Sequence, residues 1–173
     1  MKLEPDGQTI EMMFEFEVAG GEDLRQVAFN IMNIARENLE NDGYLEPAVF
    51  LVRDQMVSVY RIAFQDEREK ALAYGKVVQI AKQQQAQAII TLNDAFVGKP
   101  DDDPDSYYPG KLEAEGADEA IVLTVSGPAI PSWCLQLPYK RKAKSVEFSE
   151  LEEAKAQEMG LLPGWASERP QVH

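Results

Sequence analysis

Three aspartates at alternate positions are the residues of this chain whose type and spacing come nearest to a chemical site. Asp101, Asp103 and Asp105 stand in the run Asp-Asp-Asp-Pro-Asp-Ser-Tyr-Tyr. Alternate carboxylates can converge on a hard cation, because Ca²⁺ and Mg²⁺ take oxygen ligands. An EF-hand loop needs Gly at its sixth position and Glu at its twelfth, where this chain has Ser106 and Leu112. The run therefore leaves two hypotheses open, a Ca²⁺ or Mg²⁺ site and a solvated loop.

Two tyrosines follow these aspartates inside a strongly acidic segment. Residues 98–119 carry eight acids and only two bases, Lys99 and Lys111. Connections of about 20 residues are uncommon in compact domains and tend to be functional or disordered. We therefore expect a long acidic loop here, with Tyr107 and Tyr108 as candidate contacts to a protein partner.

Three further features could carry chemistry but also have a plain structural interpretation. Glu15 and Glu17 share one face of a predicted strand, as a catalytic carboxylate pair would, or as solvated residues do. The run 140–144, Lys-Arg-Lys-Ala-Lys, suits either a nucleic-acid patch or a charged sheet edge. Cys134 stands between Trp133 and Leu135, which favours a buried hydrophobic role over a reactive thiol.

Histidine is almost missing from the chain. The single histidine, His173, is the last residue given. Serine and cysteine nucleophiles and most zinc sites depend on imidazole, whose pKa lies near the working pH. The sequence also lacks a glycine-rich phosphate loop. No residue set identifies an enzyme, so we expect a non-catalytic protein without a catalytic residue or cofactor, apart from the candidate Ca²⁺ or Mg²⁺ site.

Composition indicates one globular domain with an acidic surface. The 173 residues carry 30 acids and 17 bases, a formal net charge of -13. This charge repels nucleic-acid phosphates and anionic lipids, so we expect no direct nucleic-acid or membrane binding. There is no apolar run of the roughly 18 residues that a membrane helix needs and no signal-peptide pattern at Met1, so a cytoplasmic location is expected.

Hydrophobic periodicity divides the chain into strands and two helices. Period-two alternation predicts a strand over 12–18, and apolar spacings of three and four predict an amphipathic helix over 22–41, with its buried face including Ile34. A hairpin over 48–64 follows, and then a second helix over 67–85, begun by Asp66. Gly75 in that helix suggests close approach of a neighbouring backbone.

Strands predominate in the second half. We expect strands over 88–97, 119–126, 132–139 and 146–148, with the acidic loop between the first two. Hairpins between helices favour an α+β fold of order β-α-β-β-α-β-β-β, a mainly antiparallel sheet with two amphipathic helices packed on one face. Residues 8–149 form this single domain, and 150–173 are expected to be a short helix and a flexible C-terminal tail.

Several segments resemble a family of small uncharacterised bacterial and phage-associated α+β proteins. The resemblance rests on residues 42–50, Asp-Gly-Tyr-Leu-Glu-Pro-Ala-Val-Phe, on Thr-Leu-Asn-Asp-Ala-Phe at 91–96, on 119–123 and on Gly-Leu-Leu-Pro at 160–163. Family members usually carry Trp where Phe96 stands. The resemblance implies no activity.

The element order from residue 22 onward also resembles that of roadblock and profilin-like domains. In these domains a central antiparallel sheet flanked by helices serves dimerisation and partner docking. Fold does not determine function, so the analogy only favours an interaction role.

Three functional hypotheses follow from the sequence. The first is a non-catalytic protein-interaction or regulatory module, binding a protein partner or forming a homo-oligomer. The second is a metal-assisted carboxylate hydrolase that uses Asp101, Asp103 and Asp105 with a further acid such as Glu113. The third is an acidic decoy that imitates a phosphate backbone and occupies a nucleic-acid-binding protein.

Overall fold

The structure is a computed structural model that describes residues 2–3, 9–18, 23–97, 118–155, 162 and 165. Within these residues the chain forms two α-helices and nine β-strands. The helices are α1 (Leu24–Asp42) and α2 (Glu67–Gln83); the strands are β1 (Lys2–Leu3), β2 (Thr9–Glu17), β3 (Ala48–Arg53), β4 (Met56–Ala63), β5 (Ala88–Val97), β6 (Asp118–Gly127), β7 (Ile130–Arg141), β8 (Val146–Phe148) and β9 (Glu152–Lys155).

Side-chain caps determine where the helices begin. The carboxylate of Asp23 accepts a hydrogen bond from the Gln26 backbone N–H, and the Gln26 side chain accepts one from the Asp23 N–H, each at 2.9 Å. This reciprocal pair satisfies backbone donors that the first turn leaves free. α1 ends at Gly43, whose φ of +80° is the left-handed conformation that glycine adopts without strain. At the start of α2, the Asp66 carboxylate accepts a hydrogen bond from the Glu69 N–H, while the Glu69 side chain accepts one from the Gln65 N–H, each at 2.8 Å.

All described strands pair antiparallel in one sheet. The strand order is β1-β2-β4-β3-β5-β6-β7-β8, with β9 also paired to β7. This confirms the predicted α+β fold with an antiparallel sheet and two helices. β5 and β6 pair from Ile89–Ser126 to Val97–Asp118, so the acidic segment leaves from the end of a long regular ladder.

The two helices pack on opposite faces of the sheet, so the predicted placement on one face is wrong. Phe50 and Val52 of β3 pack in the cluster that contains the buried side of α1. Val49 and Leu51, the alternate residues of the same strand, pack in the cluster with α2. Successive strand residues point to opposite faces. The sheet is thus sandwiched between the helices, and we call its sides the α1 face and the α2 face.

The end of the described chain also differs from its predicted form. Glu152–Lys155 pair with β7 as a strand, so the helix predicted after residue 150 is wrong for these residues. Leu162 and Trp165, which were assigned to a flexible tail, are buried on the α2 face. The Trp165 indole Nε1 donates a hydrogen bond of 3.0 Å to the Ser126 carbonyl oxygen, which attaches this part of the chain to β6.

Candidate functional site

A β-bulge in β2 places aromatic side chains on the α1 face. Met12 pairs with Tyr60, whereas Phe14 pairs with Val59, so Met13 is an extra residue. The extra residue reverses the alternation of side chains after it. Phe14 and Phe16 consequently lie on the same side of the sheet as Val59, towards α1.

These side chains form one wall of an apolar groove of about 590 Å³. The opposite wall is one side of α1, with Ile31, Ile34 and Ala35. The floor is formed by β3, β4 and β5, and the segment between α1 and β3 closes one end. The remaining lining residues are Met13, Asn38, Asp42, Tyr44, Leu45, Glu46, Pro47, Ala48, Phe50, Val59, Tyr60, Arg61 and Leu92.

Large apolar side chains in this groove are exposed to solvent. Phe14 is 55% exposed, Ile34 57% and Tyr44 59%. Ile34 was predicted to lie on the buried face of α1, but α1 packs against β6, and Ile34 lies on the groove side of the helix, where it is exposed. A contiguous exposed apolar patch on a charged protein is typical of a binding surface.

The charged residues at the rim of the groove are mostly acidic. Among the described residues that line it, Asp42 and Glu46 are acidic and Arg61 is the one basic residue. An Arg61 Nη atom lies 2.8 Å from a carboxylate oxygen of Glu11, and the other Nη atom lies 3.9 Å from one of Glu46. These two acids compensate the arginine charge, so the groove as a whole is apolar with a negative rim.

A second polar arrangement lies on the α1 face, where β5, β6 and β7 meet the end of α1. The Tyr139 hydroxyl donates a hydrogen bond of 2.6 Å to Asp94, and Arg141 Nε donates one of 2.9 Å to Glu119. Arg141 Nη1 also donates to the Gly43 carbonyl oxygen at 2.6 Å. The register of three strands brings these residues together. The arrangement ties the end of α1 to the sheet.

Burial controls the protonation of this polar cluster. Burial raises the pKa of the Asp94 carboxyl, while the hydrogen bond from Tyr139 acts in the opposite direction. Burial, followed by the hydrogen bond to Asp94, raises the pKa of the Tyr139 phenol, which keeps it a proton donor. The side chains satisfy one another, so we interpret the cluster as structural.

The predicted cation ligands and partner contacts lie outside the described residues. These are Asp101, Asp103 and Asp105, and the tyrosines Tyr107 and Tyr108. Within the described part of the chain, no group of three or more His, Cys, Asp or Glu side chains is arranged to hold a metal ion. Likewise, none of the described helices is long and apolar enough to cross a bilayer.

The other residues singled out from the sequence lie in hydrogen-bonded, ion-paired or buried positions. Glu15 accepts a hydrogen bond of 2.9 Å from the Ser58 hydroxyl. In the basic run 140–144, Arg141 belongs to the polar cluster and the Lys142 ammonium lies 3.9 Å from a Glu147 carboxylate oxygen. Cys134 is buried in β7, which confirms its predicted place in the core.

Gly75 does not have the role that the sequence suggested. A Cβ built at Gly75 meets no atom within 4 Å, so no neighbouring backbone approaches there. The close approach is instead at Gly127, where a Cβ would lie 2.3 Å from the Gln87 carbonyl oxygen.

Sequence reasoning missed the groove and the polar cluster. In the sequence, Phe14 fits the period-two alternation of 12–18, so the pattern does not show that the strand is interrupted. No glycine or proline marks the bulge at Met13. Asp94 and Glu119 did stand in segments that carry the family resemblance, but their meeting with Tyr139 depends on strand register. An unusual apolar excess in 12–18 was the available signal for the groove.

The chain matches the model of a known protein family. The family model described as bacteriophage lambda protein ea47 matches residues 8–170. The chain belongs to this family. The ea47 family assignment confirms the expected phage-associated relationship, and its name states no activity. No curated protein and no solved structure matches the chain, so the resemblance to roadblock and profilin-like domains is not confirmed.

Proposed function

We propose that this ea47-family protein is a non-catalytic interaction module that binds an apolar segment of a partner protein in the groove on its α1 face. The observation that carries the proposal is the convergence of exposed Phe14, Ile34 and Tyr44 on one apolar groove. Burying such side chains against a partner gains roughly 25 cal/mol per Å² of apolar surface removed from water.

Charge favours a different protein over a second copy of this chain. The net charge is -13, and the groove rim carries Asp42 and Glu46. Two copies brought together at these rims would juxtapose like charges, which disfavours association. A partner with basic residues around an apolar centre would gain from the same field. Self-association through the groove stays a prediction that solution mass can test.

The experiment is a selection from a random peptide library on the immobilised full-length protein. We expect enrichment of apolar peptides with basic residues, and at least about a tenfold loss of their affinity in Ile34→Asp. Leu72→Asp is the matched control, since Leu72 is a 36% exposed helix residue on α2. Both substitutions add one charge to an exposed helical position.

Two results would contradict the proposal. One is a lack of enriched peptides, and the other is an equal loss of binding in Ile34→Asp and Leu72→Asp. A micromolar dimer of the free protein that Ile34→Asp dissociates would instead make a second copy the occupant. Thermal melts of both variants establish that each remains folded.

The metal-assisted hydrolase and the acidic decoy stay predictions. The hydrolase depends on Asp101, Asp103 and Asp105, which lie outside the described residues, whereas the decoy requires acids arrayed on one rigid surface. Calorimetric titration of the full chain with Ca²⁺, Mg²⁺ and Mn²⁺ tests the first. Heat of binding that disappears when Asp101 and Asp103 are changed to Asn would establish a cation site there.

A further inference from the structure

The groove has the length and the walls of a site for one more helix. Along α1 its lining runs from Ile31 through Ile34, Ala35 and Asn38 to Asp42. These positions recur at three and four residues, so they form one continuous side of the helix. At 1.5 Å per residue they extend about 16 Å, which is three turns. A helix of three to four turns laid beside α1 would contact this side throughout.

The exposed residues of the groove distinguish a helix from an added strand. The floor residues Phe50, Val59 and Leu92 are at most 9% exposed, so the apolar surface open to a partner is mainly that of Phe14 on β2 and Ile34 on α1. A strand added beside the edge of β2 would extend the sheet without contacting Ile34. A helix lying between β2 and α1 would contact both residues, as helices cover apolar sheet faces in layered folds.

The described part of this chain does not supply such a helix. Leu162 and Trp165, the most C-terminal described residues, are buried on the α2 face, on the other side of the sheet from the groove. β1, which lies beside β2 at the sheet edge, contributes only Lys2 and Leu3. We consider a helix from another molecule, because the acidic rim favours a basic partner over a segment of this acidic chain.

The charges at the groove rim indicate which residues should flank the apolar side of the bound helix. Asp42 stands at one end of the α1 wall and Glu46 at the groove rim, while the positive charge of Arg61 is compensated by Glu11 and Glu46. Lysine or arginine beside the apolar stripe of the bound helix would meet this negative rim. Attraction between exposed charges weakens as salt rises.

We propose that the groove binds an amphipathic α-helix of a partner protein, with apolar residues at i, i+3, i+4 and i+7 and basic residues on both flanks. This inference rests on the proposed function and specifies its partner. It places the helix antiparallel or parallel beside α1, over Phe14, Phe16 and Val59, so that the two helices together cover the α1 face.

The test uses three synthetic peptides of about 16 residues, long enough for four turns. The first has leucines at helical spacing and lysines on both flanks. The second keeps this composition but alternates leucine with polar residues, as in a strand. The third is the first with glutamates in place of the lysines. Fluorescence anisotropy measures binding to the full-length protein, and circular dichroism measures helix formation on binding.

The expected result is binding of the first peptide at micromolar concentration with a gain in helicity. Its affinity should fall at least about tenfold in Ile34→Asp and remain unchanged in Leu72→Asp. The glutamate peptide should bind at least about tenfold more weakly than the lysine peptide at low salt, and this difference should shrink as salt is raised.

The outcomes separate this inference from the proposed function. Tighter binding of the alternating peptide, still lost in Ile34→Asp, would overturn the helical partner and retain the groove as a binding site. Binding of none of the three, together with an unproductive peptide library, would overturn both. Equal binding of the lysine and glutamate peptides would overturn the basic flanks.

Discussion

The two faces of the sheet are covered to different extents. On the α2 face, Tyr74 and Val77 of α2 form one buried cluster with Leu51 and Ile62 of the sheet, and Trp165 joins this cluster at 4% exposure. On the α1 face a larger buried cluster extends across β3 to β7, but Phe14 of β2 and Ile34 of α1 remain more than half exposed.

This difference indicates which apolar residues serve stability and which serve binding. Phe14 and Trp165 are both large aromatic residues, yet only Trp165 is buried by the chain itself. The α2 face is covered more fully by α2 and Trp165. The α1 face keeps a groove with exposed apolar residues, so under the proposed function these residues should matter for binding more than for folding.

The largest expected effect is on the closed face. Trp165→Ala should lower the free energy of unfolding by about 3–5 kcal/mol, because it leaves a cavity and removes the hydrogen bond to the Ser126 carbonyl. Urea denaturation measures the change. If the variant is as stable as the wild type, Trp165 does not close the α2 face and the contrast between the faces fails.

The polar cluster should make the stability of the protein depend on pH. Burial raises the Asp94 pKa, so the folded protein holds this proton more tightly than the unfolded chain does. The stabilisation is fully present below the unfolded pKa, about 3.9 for Asp, and is lost as the pH rises through the raised value.

Asp94→Asn should remove this dependence. The stability of the wild type minus that of the variant should therefore fall as the pH rises from about 3 to 7. Urea denaturation across this range measures the difference, with Asp54→Asn at the exposed β3–β4 turn as control. A difference that stays constant or rises with pH would contradict the assignment. Glu119, Tyr139 and Arg141 are the charged or titratable groups that face Asp94.

A smaller effect, in this case a gain in stability, is expected when Gly75 of α2 is substituted. Because a Cβ there meets no atom within 4 Å, Gly75→Ala should raise the free energy of unfolding by about 0.5–1 kcal/mol through helix propensity. Gly127→Ala is the contrasting control and should destabilise, since its Cβ would lie 2.3 Å from the Gln87 carbonyl oxygen. Thermal and urea denaturation measure both, and a destabilising Gly75→Ala would show that α2 packs more tightly than described.

The smallest effect on stability is expected at the open face. Phe14→Ala should change the free energy of unfolding by about 0.5 kcal/mol, because the side chain is 55% exposed. The same substitution should weaken binding of the helical lysine peptide at least about tenfold. A stability loss comparable to that of Trp165→Ala would mean that Phe14 belongs to the core of the fold.

The local sequence pattern predicted most of the helices and strands but few of the contacts between them. The periodicity of 24–42 and the β-branched and aromatic run at 56–63 produce α1 and β4 largely as expected. The continuous apolar runs at 49–52 and 88–90 also carried the signal of a sheet buried on both faces, which alternation alone does not give. Strands that are buried on both faces predict one helix on each face of the sheet, which is the arrangement observed.

The remaining differences have tertiary causes. Glu152–Lys155 have a helix-favouring composition, yet β7 offers an unpaired edge, and pairing overrides the weak propensity. The groove depends on a one-residue bulge and on where α1 crosses the sheet, neither of which a local pattern specifies. Asp94 and Tyr139 are 45 residues apart and meet only through the register of β5, β6 and β7.

Methyl NMR of the full-length protein tests most directly whether the open α1 face is the binding surface. Addition of the helical lysine peptide should shift the methyl resonances of Ile34 and Met13, which line the groove, and leave those of Ile62 and Ile89 on the α2 face unchanged. Shifts confined to Ile62 and Ile89, or saturating binding with Ile34 and Met13 unmoved, would contradict the account.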